Sequence, residues 1–519
     1  MRKKPNILWL LSDQHDKTVA GYEGDSIIQT KHLDALAAQS VIFDTAITPV
    51  PLCSPARICM LTGKEAHNCS AYTNHWPVFP EHITWPAHFS QNGYRTCLVG
   101  KMHLGGKNQL AGFQHRPYGD LRHGVGHQPD PLSKFPSYDR LRSAGITEIP
   151  ETLVQDFVVA HESLSFIREH VDQEPEIPWF VCASFARPHA PFTAPGRYIR
   201  RYRGKVSPKR PQGESDNLSD NLKSQDPYLQ RFRDAYKSAA ITVEEEQSAI
   251  EAYYACVDYM DDCVGELLEG LRKDGLLENT YIIYTADHGE MLGRHGIWGK
   301  KLYHEASISV PLLISGPAIP GGRRVEGPVS TIDLFPTFCT LAGLSIPEGL
   351  DGIDVSAMLL EPEAACPRDF VAASYFQYGI WWDEQDVIKE QLPHMAMRVI
   401  REKEWKYVEI EKGPAILFDL INDPQEEHNL VDSPSQQERI SMMREKLHTD
   451  FSWELVHTRL AEDRIRRLEV TSGMKPTTPN QYMLSDGRLV DAEGGLYNTR
   501  WQRVLIGSDS GGHIPQYFG

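Results

Sequence analysis

No stretch of this 519-residue chain is apolar over the roughly 18 residues that a helix needs to cross a bilayer. Positive charge is not in excess either: 53 Lys and Arg stand against 70 Asp and Glu, a formal net charge of −17. That balance argues against nucleic acid or an anionic membrane as a general partner, but leaves room for a small basic pocket that takes an anion. The nine cysteines (53, 59, 69, 97, 182, 256, 263, 339 and 366) are odd in number and contain no CxxC pair, so neither a zinc nor a disulfide framework is spelled out. Internal repeats and low-complexity segments are absent. Met1-Arg2-Lys3-Lys4 looks like the start of an export signal, yet the apolar run behind it is only Ile7 to Leu11. An export signal needs an apolar core of about 7–15 residues. The expectation is a first strand, a cytoplasmic location, and cysteines that are mostly core thiols.

What the chain does have is alternation. Ile7–Ser12 reads as a buried strand, 31–40 as an amphipathic helix, 84–92 as a helix ending at Gly93, and 94–99 as a strand. A helix follows over 153–170, a strand over 179–185, a long helix over about 243–274, and short strands at 281–285 and 311–315. Strands separated by helices predict an α/β fold with a large, mainly parallel sheet flanked by helices. Past about residue 370 the rhythm shortens to strands at 396–401, 405–409 and 416–420 and a helix near 435–447. The expected organisation is a catalytic α/β domain over 1–370, a smaller C-terminal α+β subdomain over 371–470, and an extended tail over 471–519 that contacts its own or a neighbouring subunit. The polar stretch 204–225 reads as a surface loop.

Cys53-Ser54-Pro55-Ala56-Arg57 is the strongest local signal. Pro55 suits the first turn of a helix, which sets Cys53 just before the helix N-terminus and Arg57 one turn along. A helix N-terminus plus a guanidinium stabilises a thiolate or a bound anion, although a buried structural cysteine beside an arginine would look the same. Asp13-Gln14 and Asp287-His288 each follow an apolar strand, where open α/β sheets bind ligands. Each pair alone fits a cap or turn. Together they offer oxygen and nitrogen donors to a hard divalent cation.

These motifs, with Leu61-Thr62-Gly63, Gly100-Lys101-Met102-His103-Leu104-Gly105, Arg187-Pro188-His189-Ala190-Pro191-Phe192, His295-Gly296-Ile297-Trp298-Gly299-Lys300 and Val310-Pro311-Leu312, resemble the type I sulfatases of the alkaline phosphatase superfamily, with choline-sulfatase-like and carbohydrate-sulfatase members. The resemblance spans Asn6 to about Leu430 and implies an alkaline-phosphatase-like fold and hydrolysis of sulfate esters. It implies that Cys53 is converted to formylglycine by a maturation enzyme, and that Asp13, Gln14, Asp287 and His288 hold one calcium ion with the residue-53 oxygen. By the same resemblance Arg57 and Lys101 neutralise the hydrate and sulfate oxygens, His103 takes a proton from the hydrate, and His189 and Lys300 face the leaving group. Gln14 stands where many members carry a second Asp, and Arg294 replaces an Asp of the fourth block. Asn74, His75, Trp76, Arg294, His304, Trp381 and Trp382 are candidate substrate contacts, with His295 beside them. A sulfated carbohydrate and a small aryl sulfate both fit. Arg294 and the His and Trp residues favour an anionic ring. The alternative activity is that of a phosphonate monoester hydrolase or phosphodiesterase on the same fold, which is not expected to carry the Lys101/His103 pair.

Overall fold

The computed structural model of the chain describes residues 3–74, 76–106, 108–117, 120, 141–147, 149–209, 228–230, 232, 241–377, 395–471, 481–483 and 489–491. Its strands in chain order are β1 (Asn6–Asp13), β2 (Val41–Ile47), β3 (Arg95–Gly100), β4 (Gly145–Ile146), β5 (Trp179–Pro188), β6 (Thr193–Ala194), β7 (Thr280–Ala286), β8 (Leu312–Ser315), β9 (Arg323–Ser330), β10 (Phe370–Gln377), β11 (Met395–Glu402), β12 (Trp405–Ile410) and β13 (Ile416–Asp419), with a last hairpin of β14 (Gln481–Met483) and β15 (Leu489–Asp491). Apart from that hairpin, the expected tail lies outside the described residues, as does most of the loop expected over 204–225. No helix among the described residues is long and apolar enough to cross a membrane.

The large sheet has the order β3-β5-β1-β7-β8-β2-β9. β1 runs parallel to both β5 and β7, and β3 runs parallel to β5. Four neighbouring strands therefore deliver their carboxyl ends to one edge. β8 is antiparallel to both of its neighbours, the one reversal within this sheet. All eight residues of β1 are buried, which is why its sequence is an unbroken apolar run and not an alternating one. Alternation survives in which core each residue joins: Ile7, Trp9 and Leu11 pack on one face, Leu8 and Leu10 on the other. The first face carries the helix Cys53–Thr62 and an aromatic cluster in which Trp85 lies 5.1 Å from Trp9 and 4.7 Å from Phe180, centroid to centroid. The second face is covered by the helices Gln155–Gln173 and Val243–Lys273. The latter opens on a capping box in which Thr242 and Glu245 satisfy each other's backbone N–H.

The second sheet is antiparallel, ordered β10-β11-β12-β13. It is bonded directly to the larger unit: Ser374 N donates to Pro49 O at 2.8 Å, and Arg398 pairs with Glu65 at 2.7 Å. The sequence reading missed β2, β9, β10 and the helix Trp453–Thr471. β9 reads RRVEGPVS, polar and broken by Gly and Pro, a composition that an edge strand tolerates and that pattern reading rejects. Cys53 is the first residue of its helix and does not precede it; Leu52, in extended conformation, is the N-cap.

Candidate active site

Asp13 ends β1, Gly100-Lys101 ends β3, Pro188-His189 ends β5, and Asp287-His288 follows β7. The sheet order makes these four ends neighbours, and the N-terminus of the Cys53 helix points at the same place. That helix is buried at every one of its ten residues and stops at Gly63, whose φ of 63° lies in the left-handed region that glycine enters freely. Gly100 is also required: its φ is 96°, and a Cβ there would lie 2.2 Å from Ser184 O.

Ligand atoms of Asp13, Cys53, Asp287 and His288 all lie within 4.8 Å of one another, and all four residues are buried. Cys53 Sγ is 3.2 Å from His288 Nε2 and 3.3 Å from Lys300 Nζ. Asp13 Oδ2 takes Arg57 Nη2 at 3.0 Å and Lys101 Nζ at 2.6 Å, while Oδ1 faces Cys53 Sγ and His288 Nε2 at 3.9 Å each. Asp287 Oδ2 takes Arg57 Nε at 2.8 Å, and its Oδ1 accepts the Gln14 N–H at 3.0 Å. Arg57 Nη1 also donates to Lys101 O at 2.5 Å and Ser184 Oγ at 3.0 Å. The guanidinium bridges the two carboxylates and clamps them together.

His288 Nδ1 donates to the Gly289 carbonyl at 3.0 Å, which turns Nε2 toward the cluster. Burial opposes a charge on this ring, but Asp287 and Cys53 outweigh it and raise the imidazole above its ordinary value, so a cation bound at Nε2 would displace a proton. Two carboxylate oxygens and the imidazole Nε2 thus converge, with the Gln14 amide oxygen reached through Lys300. Lone pairs facing one another repel unless a cation is shared between them, and this donor set suits a hard divalent ion. Burial alone would raise the Asp13 carboxyl, but Lys101, His189, Arg57 and Lys300 outweigh it and hold the group well below the usual carboxylate range. Burial and Asp13 push the Cys53 thiol up, whereas Lys300, His288 and Lys101 bring it down to about 7. Arg57, Lys101 and Lys300 face the carboxylates of Asp13, Asp287 and the buried Glu290, so the fixed charges balance and a divalent cation would make the pocket positive, as an anionic substrate requires.

The structure brings together Asp13, Gln14, Cys53, Arg57, Lys101, Asp287, His288 and Lys300 as the sequence reading expected. His103 and His189 sit on adjoining loops. The backbone at His103 is left-handed, φ 57°, and its carbonyl accepts the hydroxyl of Ser54, the residue after Cys53. His189 is half-buried, with Nδ1 bonded to Ala190 O at 2.6 Å.

The substrate contacts fare differently. Asn74 Oδ1 accepts the Ser54 N–H at 3.0 Å, capping the Cys53 helix. Trp76 is fully buried, edge-on to Tyr72 at 5.4 Å and under the Arg467 guanidinium at 5.1 Å, so its ring is packed by the protein itself. Arg294 pairs with the buried Asp16 at 2.7 Å and bonds Thr18 at 3.1 Å, so its charge braces two loops and is not offered to a ligand. His304 is buried, stacked on Tyr303 at 4.3 Å and 4.5 Å from His295. His75, Trp381 and Trp382 lie outside the described residues.

The sequence reading missed a set of buried carboxylates that hold the loops. Asp120 accepts the N–H of Met102 at 2.8 Å and of His103 at 3.0 Å and pairs with Arg116. Asp156 does the same for Ala186 at 2.9 Å, Arg187 at 3.0 Å and the Arg187 guanidinium at 2.6 Å. Little marks them locally, because most of their partners are distant in sequence or lie in backbone, and only the Arg116–Asp120 pair is close along the chain. Substituting Asp120 by Asn removes the charge opposite the buried Arg116 and weakens two loop bonds. The expected result is a loss of about 3 kcal/mol in unfolding free energy by urea titration, and a fall in kcat that exceeds any change in KM.

Four strand ends and a helix N-terminus thus converge on an acid-, lysine- and cysteine-lined candidate cation site. The chain is a sulfuric ester hydrolase and belongs to the sulfatase family, whose family model matches residues 5–344. A second family model, "N-sulphoglucosamine sulphohydrolase, C-terminal", matches residues 293–452. Among similar proteins is a choline-sulfatase of Rhizobium meliloti (strain 1021), 30% identical over 91% of this chain and 92% of its own length. An ulvan-active sulfatase of Formosa agariphila is 28% identical over 83% of this chain and 78% of its own. The fold is shared with the crystal structure of a phosphonate monoester hydrolase of Agrobacterium radiobacter, with TM-score 0.69, 23% identity, and coverage of 94% of this chain and 99% of that one.

Proposed function

We propose that this enzyme removes sulfate from a sulfated saccharide, using residue 53 oxidised to formylglycine and a calcium ion held by Asp13, Gln14, Asp287 and His288. The observation that carries the reading is the convergence of Cys53 with those acceptors inside a ring of buried cations. Calcium would supply positive charge and orientation, and the hydrated aldehyde would supply two hydroxyls on one carbon. The chain's own residues do the rest. Lys101 and Lys300 lie on opposite sides of the cluster, one on Asp13 and the other on Gln14 and Cys53, placed to neutralise sulfuryl oxygens. His103 is the base that takes a hydroxyl proton, and His189, its Nδ1 committed to Ala190 O, is the acid that gives a proton from Nε2 to the departing alkoxide.

The saccharide assignment is supported by the match to a C-terminal unit named for an N-sulphated glucosamine hydrolase. It no longer draws on Arg294, which is committed to Asp16. The choline-sulfatase relative keeps a small organic sulfate as the other substrate class to be tested.

Peptide mass spectrometry of active protein should find residue 53 about 18 Da lighter than cysteine, the change for thiol-to-aldehyde conversion. Turnover should then be compared across sulfated glucosamines, choline sulfate, an aryl sulfate and an aryl phosphonate ester. The expected result is highest kcat/KM on a sulfated sugar. Preference for the phosphonate over every sulfate, or an unmodified thiol in an active sample, would refute the reading.

A further inference from the structure

Gln14 is held from both sides along its backbone. Its N–H donates to Asp287 Oδ1 at 3.0 Å, its carbonyl accepts from Tyr253 Oη at 2.8 Å, and its φ is 65°. What remains free to vary is which end of the side-chain amide faces the cluster, since a half-turn exchanges oxygen and nitrogen with almost no change of shape. Only the oxygen can ligate a cation. Nε2 donates to Glu290 Oε2, and Oε1 accepts from Lys300 Nζ. Glu290 is itself fully buried, and its other oxygen accepts the N–H of Gly299 at 2.5 Å and of Leu292 at 3.1 Å.

We propose that Glu290 is a positioning residue that fixes the polarity of the Gln14 amide, so that an oxygen and not an NH2 group faces the cation site. This inference rests on the calcium reading above. A carboxylate at position 290 offers acceptors on both sides, and only one amide orientation suits it: the reverse would set oxygen against oxygen on the Glu290 side and NH2 against ammonium on the Lys300 side. The two backbone donors make the mechanism specific. In Glu290→Gln the new amide must turn its oxygen to Gly299 and Leu292, which places its NH2 against that of Gln14. Gln14 is then caught between that NH2 and the Lys300 ammonium, neither amide orientation satisfies both neighbours, and its oxygen is no longer fixed toward the cation.

The exchange of both residues tests this. In the double variant Gln14→Glu, Glu290→Gln, the amide of residue 290 donates to one oxygen of residue 14 and leaves the other facing the site. Calcium chloride is titrated calorimetrically into the chelator-treated, full-length matured protein, with circular dichroism confirming each fold. Wild type should bind, Glu290→Gln should bind about 10–100-fold more weakly, and the same substitution made on Gln14→Glu, whose carboxylate has no polarity to fix, should change affinity by less than about threefold. Equal affinity in Glu290→Gln, or an equal loss on both backgrounds, which is the mark of charge alone, overturns the inference while leaving calcium binding intact. A wild-type protein that takes up no calcium removes the calcium reading itself, and the inference with it. Should Glu290→Gln alone fail to fold, the two Gln14→Glu proteins still decide: a difference within about threefold supports the inference, and a larger loss refutes it.

Discussion

Replacing Cys53 by alanine is expected to abolish sulfate-ester hydrolysis, lowering kcat/KM by at least about a thousandfold, because the proposed nucleophile is built from that side chain and no neighbour can stand in for it. Lys300, His288 and Asp13 surround the position, and all three are committed to other contacts. The alanine variant should still fold, since a buried thiol is exchanged for a slightly smaller group at a helix start. The serine variant separates two steps. It keeps one hydroxyl in the same electropositive setting, enough to accept a sulfuryl group, but has no second hydroxyl on that carbon whose proton can be withdrawn to expel sulfate. Rapid mixing with an aryl sulfate should therefore give at most one equivalent of phenol per site and then stall. Steady turnover by either variant at the wild-type rate would exclude the nucleophile assignment.

Replacing Lys406 by methionine should produce the largest loss of stability, about 3–5 kcal/mol, because it strips the fully buried cation from a four-charge cluster. The Lys406 side chain is 0% exposed and contacts Tyr303 O at 2.8 Å, Glu305 Oε1 at 3.2 Å, and Glu426. Arg401 pairs with the same Glu305 at 3.0 Å, and the Glu305 N–H donates to Glu426 Oε2 at 2.6 Å. Two strands of the small sheet supply the cations and the short helix Glu305–Ile308 after Lys300 supplies Glu305, so this cluster bolts the second sheet to the segment that follows the active-site loop. Burial opposes ionisation of Glu305, but Arg401 and Lys406 hold it down at about 2. A carboxyl depressed in the folded state contributes stability above its unfolded value of about 4.5 and loses it as pH falls toward 2. In the variant Glu305 keeps Arg401, Glu426, already pushed up by burial, loses its pairing with Lys406, both folded values rise, and protonation relieves them. The stability gap between wild type and Lys406→Met should accordingly be widest near pH 7 and narrow below pH 5, as read by urea titration at each pH. A constant gap would mean that lost packing, and not charge, sets the cost.

Much of the site was legible because its chemistry is concentrated in short blocks. Asp13-Gln14 and Asp287-His288 lie directly behind apolar runs, so the strand-end position followed from the pattern. The family's blocks also carried Lys101, His103, His189 and Lys300. The substrate residues were not legible in the same way. Arg294 and Trp76 look alike in sequence whether they face a ligand or a protein partner, and the partners that claimed them, Asp16 and the core around Tyr72, lie far along the chain. Asp120 and Asp156 escaped for a related reason: a carboxylate whose task is to accept backbone N–H groups leaves no trace in the residue types it serves. Glu290 stood in the motif Asp287-His288-Gly289-Glu290, but its bond to Gln14 could not be read there.

The sequence alone determined the class of fold, the first and central strands of the large sheet, the family, and the identity of the groups that ring Cys53. Those are set by local periodicity and by motifs in which neighbouring residues act together. The tertiary structure decided that β3, β5, β1 and β7 lie side by side, that Arg57 clamps two carboxylates, that Arg294 is neutralised, and that the small sheet is bolted on through Lys406. Each of these depends on which distant charge or strand becomes a neighbour. That is settled by the packing of both faces of the sheet at once, a condition that no single segment of chain contains.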